Sequence, residues 1–160
     1  MDSKDSSRQM LRQTVATLAY RAGKALRGAP ESFADYGTGG QGRTPARLLA
    51  HMGDLFDWAL SLARGKQAWH DSTPLPWTQE TERFFNSLKA FDDYLASAEP
   101  LGAPVEKLFQ GPVADALTHT GQLTMLRRMA GCPIRSENYF RADIVSGRVG
   151  TEQTPPSNEF

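Results

Sequence analysis

Apolar residues recur every three or four positions in four segments of this chain, and glycine or proline ends each segment. This spacing places the apolar side chains on one face of an α-helix. The segments run from about Asp5 to Arg27, from Thr44 to Lys66, from Thr78 to Ala98 and from Pro112 to Gly131. Strand patterns are scarce before the C-terminal tail. The sequence therefore predicts an all-α protein, folded as an antiparallel four-helix bundle.

Capping residues suggest where these helices begin. Thr44 precedes Pro45, which is typical of an N-cap followed by the first helical position. By the same reasoning Thr78 is predicted to cap the third helix. Pro112 is predicted to start the fourth helix, which ends at Gly131.

Charge and composition exclude several classes of partner. The 160 residues suit a single domain, with 18 basic and 18 acidic residues. Zero net charge disfavours nucleic acid or a membrane surface as partner, and no apolar run approaches the ~20 residues of a membrane span. The first ten residues contain no apolar leader, and Cys132 is the only cysteine. These features predict a cytoplasmic protein.

The fourth segment carries a group of metal-binding residue types. His119 falls on the apolar stripe, one turn before Leu123. Asp115 precedes it by four residues and Gln122 follows by three, so all three project from one side of the helix. Asp115 and His119 could bind one ion, with Gln122 orienting a ligand. The alternative is that Asp115 complements the helix dipole and His119 is an ordinary core histidine.

A second histidine comes from the second segment. His51 lies three residues after Leu48 and four before Leu55, so it leans toward the same core. In an up-down bundle it would meet Asp115 and His119 between the helices. His70 lies in a loop without periodicity and is predicted to be solvated.

These residues resemble a family pattern. The LLAHM stretch around His51 and the HTGQL stretch that begins at His119 are similar to the DinB-like (YfiT-like) superfamily of small bacterial four-helix proteins. In that family a histidine of the second helix and an H-x-x-x-H pair of the fourth bind one metal. This chain departs from the pattern at Asp115, which stands where the first histidine of the pair is expected. The resemblance extends to about Gly131.

The resemblance implies a metal-dependent function. Two imidazoles and a carboxylate suit a divalent transition metal, Zn or Ni foremost and Fe or Mn as alternatives. Some members, such as bacillithiol transferases and mycothiol-dependent isomerases, bind a low-molecular-weight thiol at the metal. We therefore expect a thiol transferase-like enzyme acting on a small-molecule substrate, with no residue assigned to catalysis. The alternatives are a non-catalytic metal-binding or stress-associated protein, and a bundle without metal.

The tail and the tryptophans give two further expectations. Residues 134–160 lack periodicity and are predicted to form an extended tail on a bundle of residues 1–133. Residues 134–149 are expected to pack along the bundle and to cover part of the metal site, whereas the last ten residues are expected to be mobile. Trp58, Trp69 and Trp77 leave apolar surface near the second loop, which runs from about Gly65 to Trp77, and this surface favours a homodimer.

Overall fold

Long α-helices make up most of this protein. The computed structural model describes residues 3–160, with side chains from residue 6 onward. The helices are α1 (Ser3–Leu26), α2 (Pro45–Ala63), α3 (Trp77–Ala96), the four-residue α4 (Val105–Leu108) and α5 (Ala114–Met129). The all-α class is thus confirmed for residues 3–160. Met1 and Asp2, the first residues of the predicted bundle, lie outside the described part.

The four long helices pack around a common apolar core. α2 packs against α3 and α5, and α1 also packs against α3 and α5. Large side chains from all four helices are fully buried there: Leu18, Phe56, Phe84, Phe91 and Leu123. Each long helix therefore has two helical neighbours, and the inward faces of α2 and α5 meet.

The start of α2 agrees with the prediction, and the start of α3 does not. The hydroxyl of Thr44 accepts a hydrogen bond from the Arg47 amide, and Pro45 opens the helix. The third helix instead begins at Trp77, and no side chain caps it. Thr78 therefore already lies inside the first turn, where its hydroxyl donates to Glu31. The predicted capping role of Thr78 is wrong.

The helix that carries His119 begins earlier than predicted. Helical backbone starts at Val105, passes through a π-helical turn at Phe109–Val113 and continues into α5. Pro112 lies inside the π turn and not at a first helical position, so that prediction is wrong. A π turn already departs from the regular i→i−4 ladder, which gives a residue without an N–H a place inside the helix.

Ion pairs and hydrogen bonds fix the second loop to the helices. The buried carboxylate of Asp54 accepts hydrogen bonds from the amide of Ser72 at 2.8 Å and from its hydroxyl at 2.7 Å. His70 lies against Asp54 and Asp57, at 3.2 and 3.1 Å. The side chain of His70 is half exposed, in agreement with the prediction that it is solvated, and it also pairs with these two carboxylates.

The C-terminal tail packs along α1. Glu137 is fully buried and accepts hydrogen bonds from Tyr20 at 2.6 Å and from Lys24 at 2.8 Å. The end of the chain returns to this point, because Glu159 forms a bridge with Glu137 and an ion pair with Lys24. Glu159 thus contacts the residues that α1 and the tail bring together, and the mobility of residues 151–160 stays a prediction.

No helix in residues 3–160 is both long enough and apolar enough to cross a membrane.

Candidate metal centre

The structure brings His51, Asp115 and His119 together between α2 and α5. The Nε2 atom of His51 lies 3.3 Å from one oxygen of Asp115, and Nε2 of His119 lies 3.3 Å from the other. The two imidazole rings are 5.0 Å apart, centroid to centroid, and nearly perpendicular at 81°. One ligand atom from each residue lies within 4.8 Å of the others. These are three of the four residues that the sequence singled out.

The distances fit a divalent transition metal. Zinc binds histidine nitrogen and carboxylate oxygen at about 2.0–2.2 Å, so two ligands of a tetrahedral ion are about 3.4 Å apart. Each histidine nitrogen lies 3.3 Å from an oxygen of Asp115, close to that spacing, and the two nitrogens face different oxygens of this carboxylate. The His51–Asp115 contact also counts as a hydrogen bond at this distance. Since one ligand atom from each residue lies within 4.8 Å of the others, the three side chains form a candidate site for an ion.

The centre is open on one side. The side chain of His119 is 10% exposed and that of His51 is 17% exposed, whereas that of Asp115 is 45% exposed. The two imidazoles are thus mostly buried, and the carboxylate of Asp115 faces solvent. Three protein ligands leave a tetrahedral or larger coordination sphere incomplete, as in catalytic sites.

Gln122 orients His119. Its side-chain oxygen lies 2.7 Å from Nδ1 of His119. An amide oxygen can only accept, so Nδ1 carries the proton and donates it to Gln122. A ring with one proton on Nδ1 has its lone pair on Nε2, the nitrogen that faces Asp115. The expectation that Gln122 orients a ligand is consistent with this contact, which a purely structural histidine would satisfy equally well.

The environment favours a neutral His51. Burial lowers the pKa of His51, and the positive charge of Arg43 lowers it further, while the hydrogen bond with Asp115 acts in the opposite direction. A histidine binds a metal only when it is neutral. The centre therefore keeps this nitrogen ready for a cation at neutral pH.

The continuous helix argues against the alternative interpretation that Asp115 complements the helix dipole. Backbone angles at Val113 are helical, so Asp115 does not stand at a free helix end. It is ten residues beyond Val105, where the helical backbone starts. The dipole effect is confined to the first and last turns, so it gives Asp115 little stabilisation.

Sequence reasoning missed Trp69, which packs on the centre from the second loop. Its indole contacts the His51 ring edge to face, with centroids 5.7 Å apart, and contacts Trp58 in the same way at 5.8 Å. The loop shows no periodicity, so only its fixed position against α2 reveals this contact.

Three grooves border the centre, one beside each ligand. A groove of about 440 Å³ lies beside His119 and Gln122, a second of about 430 Å³ beside His51, and a third of about 400 Å³ beside Asp115. Arg43 lines the first two. Trp58 and Gly111 line the third, where the π turn passes α2. Small molecules thus have access to the open side.

A second group of metal-binding residue types occurs on α2 and the second loop. Asp54, Asp57 and His70 lie close enough together to hold an ion. The guanidinium of Arg83, however, already contacts Asp54 at 3.1 Å and Asp57 at 3.4 Å, and it also pairs with the buried Glu80. A fixed positive charge at this place repels a second cation. We interpret this group as the clamp of the second loop.

The walls of the centre come from the two loops and not from the tail. Outside the helices, the grooves beside His51 and His119 are lined by residues 42–43, which precede α2, and by residues 71–74 of the second loop. The side-chain hydrogen bonds described for residues 134–149 go to α1 or stay within the tail. Cover of the metal site by the tail therefore has no support among these contacts.

Comparisons of this chain with protein-family models, with curated proteins and with solved structures find no match.

Proposed function

We propose that this protein is a metal-dependent enzyme of the thiol transferase type, in which His51, Asp115 and His119 hold one divalent transition metal. The observation that carries the proposal is the 3.3 Å spacing of two histidine nitrogens around one carboxylate. Zinc or nickel suits this donor set best, with iron or manganese as alternatives. The resemblance of the LLAHM and HTGQL stretches to DinB-like proteins supports the same ligand positions.

The chemistry follows from the open side. A divalent ion held by these residues would lower the pKa of a bound thiol and favour its thiolate. The thiol proton would pass to solvent, the thiolate sulfur would form a bond to an electrophilic carbon, and the leaving group would depart with the electron pair of the bond that breaks. In this scheme His119 is held in the correct tautomer by Gln122, and the three grooves supply room for the thiol and the electrophile.

A non-catalytic metal-binding or stress-associated protein is the competing function. Structural metal sites usually have four protein ligands and no free position. The half-exposed Asp115 and the adjoining grooves favour exchange of small ligands, and therefore favour an enzyme.

Metal analysis tests the first half of the proposal. Protein purified without chelators and incubated with zinc should contain about one ion per chain, because, of the two three-residue groups found among residues 6–160, the one at Asp54 and Asp57 is already paired with Arg83. Replacing His51, Asp115 or His119 by alanine should remove most of it. His70→Ala is the matched control, since it removes a histidine from the loop clamp and should leave the metal content unchanged.

Two results would contradict the proposal. Wild-type protein that stays metal-free after incubation with zinc and nickel would exclude a metal centre. Loss of metal in His70→Ala but not in His119→Ala would move the centre to the second group. If the metal is present, turnover of a small thiol with an aromatic electrophile then distinguishes the enzyme from the non-catalytic protein.

Two finer structural statements belong with this proposal. We infer that the four long helices form an antiparallel bundle, because each packs against two others. We also propose a homodimer, with a smaller exposed tryptophan surface than the sequence predicted. Trp77 is buried against Phe33, and Trp58 contacts Trp69, so mainly Trp69 leaves indole surface exposed.

A further inference from the structure

Two arginines stand at the mouth of the metal centre. Arg43 lines both the groove beside His119 and the groove beside His51. Arg47, one helical turn before His51 on α2, lines the second of these grooves. Among the residues that the structure describes, neither guanidinium forms an ion pair or donates a hydrogen bond. Their positive charges are thus available to a molecule that enters the grooves.

Folding does not account for Arg47. It lies in the first turn of α2, where a negative charge would complement the helix dipole and where this helix has none. A positive charge there is mildly unfavourable to the helix. Residues that break a local rule without a local gain are often retained for a ligand.

The acidic side chains of the groove beside His51 do not neutralise both arginines. Asp54 is already bound by Ser72 and Arg83. The exposed Asp71 is the other carboxylate that lines the groove, and it can neutralise only one arginine. A divalent ion on Asp115 would add a further net positive charge nearby. This region therefore attracts anions.

We propose that the ligand of this centre carries a carboxylate, which Arg43 and Arg47 bind in the grooves beside His119 and His51, while its thiol would occupy a free position of the metal. This inference rests on the proposed function, because the metal fixes one end of the ligand. Arginine is suited to the other end, since its planar guanidinium binds a carboxylate through two parallel hydrogen bonds. Leu48 and Met125, which line the groove beside His119, would contact the apolar part of the molecule.

A pair of matched thiols tests this inference. We would titrate the zinc-loaded protein with 3-mercaptopropionate and with 3-mercaptopropionamide, which differ by one charge, and measure both affinities by calorimetry. The same titrations are repeated on the double variant Arg43→Gln/Arg47→Gln and on the control Arg128→Gln. Arg128 is exposed on the last turn of α5 and is not among the lining residues of the three grooves, and its replacement removes one positive charge from the surface. Intrinsic differences between the thiols cancel in the comparison between proteins.

The expected result is a change in preference and not in metal content. The affinity for 3-mercaptopropionate divided by the affinity for 3-mercaptopropionamide should fall by about tenfold or more in the double variant. This change corresponds to the loss of one strong charge-assisted contact. Affinity for the amide, zinc content and the behaviour of Arg128→Gln should remain close to wild type. An unchanged ratio in the double variant, with both thiols still bound, overturns the inference alone. Failure of wild type to bind zinc or either thiol overturns the proposed function, and this inference with it.

Discussion

The imidazole of His51 and the indole of Trp69 meet edge to face, with ring centroids 5.7 Å apart, although one lies on α2 and the other in the second loop. This contact places a fluorophore directly beside the candidate metal centre. It also makes the loop part of the centre, since Asp54 and Ser72 hold the loop in place.

Tryptophan fluorescence should therefore report metal binding. Nickel quenches nearby indoles, so one equivalent of nickel should lower the emission of wild-type protein, and Trp69→Phe should lose part of this response, with the remainder coming from Trp58 beside Asp115. Trp77→Phe is the control, because Trp77 packs against Phe33 at another part of the fold. Quenching that survives Trp69→Phe and disappears in Trp77→Phe would show that nickel binds elsewhere.

Removal of the Gln122 side chain, whose oxygen accepts the hydrogen bond from Nδ1 of His119, should weaken metal binding. Gln122→Ala leaves Nδ1 without its partner, and loss of such a contact typically lowers metal affinity by about 10- to 100-fold. Gln122→Glu keeps an acceptor at the same place and should retain zinc affinity close to wild type. Competition with a chromogenic chelator gives the affinities. Equal losses in both variants would mean that Gln122 acts only through packing.

Asp115 contributes both a ligand atom and a negative charge. Asp115→Asn removes the charge and should lower zinc affinity strongly, because a neutral amide is a poor zinc ligand. Asp115→His supplies an imidazole at the position where DinB-like proteins have a histidine, and it should preserve one zinc per chain. Elemental analysis after dialysis checks both variants. Full zinc content in Asp115→Asn would exclude Asp115 as a ligand.

The buried carboxylate of Glu137 should be important for stability. Glu137→Ala leaves the ammonium of Lys24 buried without its nearest partner, and breaking such a pair usually costs about 3–5 kcal/mol. The exposed pair Lys89–Asp93 provides the contrast, since Lys89→Ala should cost about 0.5 kcal/mol or less. Urea unfolding measures both free energies. A small loss in Glu137→Ala would indicate that Glu159 or water replaces the missing carboxylate.

Gly53 is needed because Arg83 passes over α2. A Cβ at Gly53 would lie 2.8 Å from the guanidinium carbon, and contacts with Glu80 and with the Ala50 carbonyl hold that guanidinium in place. Gly53→Ala should therefore cost about 1–3 kcal/mol. Gly121→Ala is the matched control, since nothing lies within 4 Å of its Cβ and alanine favours a helix by about 1 kcal/mol. Thermal unfolding should thus shift in opposite directions for the two variants. A stabilised Gly53→Ala would mean that Arg83 moves freely.

Local signals were sufficient for much of the fold and for part of the site. The spacing of apolar residues located the four long helices, and the Thr44–Pro45 pair located the start of α2. The same spacing placed His51 and His119 on inward faces. Local signals failed at Pro112, because a proline is compatible both with a first turn and with a π turn inside a helix. They failed at Thr78 for a similar reason, since a threonine is as acceptable inside a first turn as at a cap.

The amino-acid sequence by itself determined approximately where the four long helices lie and which of their faces are apolar, because these properties depend on neighbours within about one turn. Tertiary structure decided which distant groups meet. Three features depend on how the helices and loops pack. Lys24 pairs with Glu137, which lies 113 residues away, Trp69 contacts His51, and Arg43 lies between two grooves. No short-range pattern encodes such contacts, because their free energy is gained only when the whole core has formed.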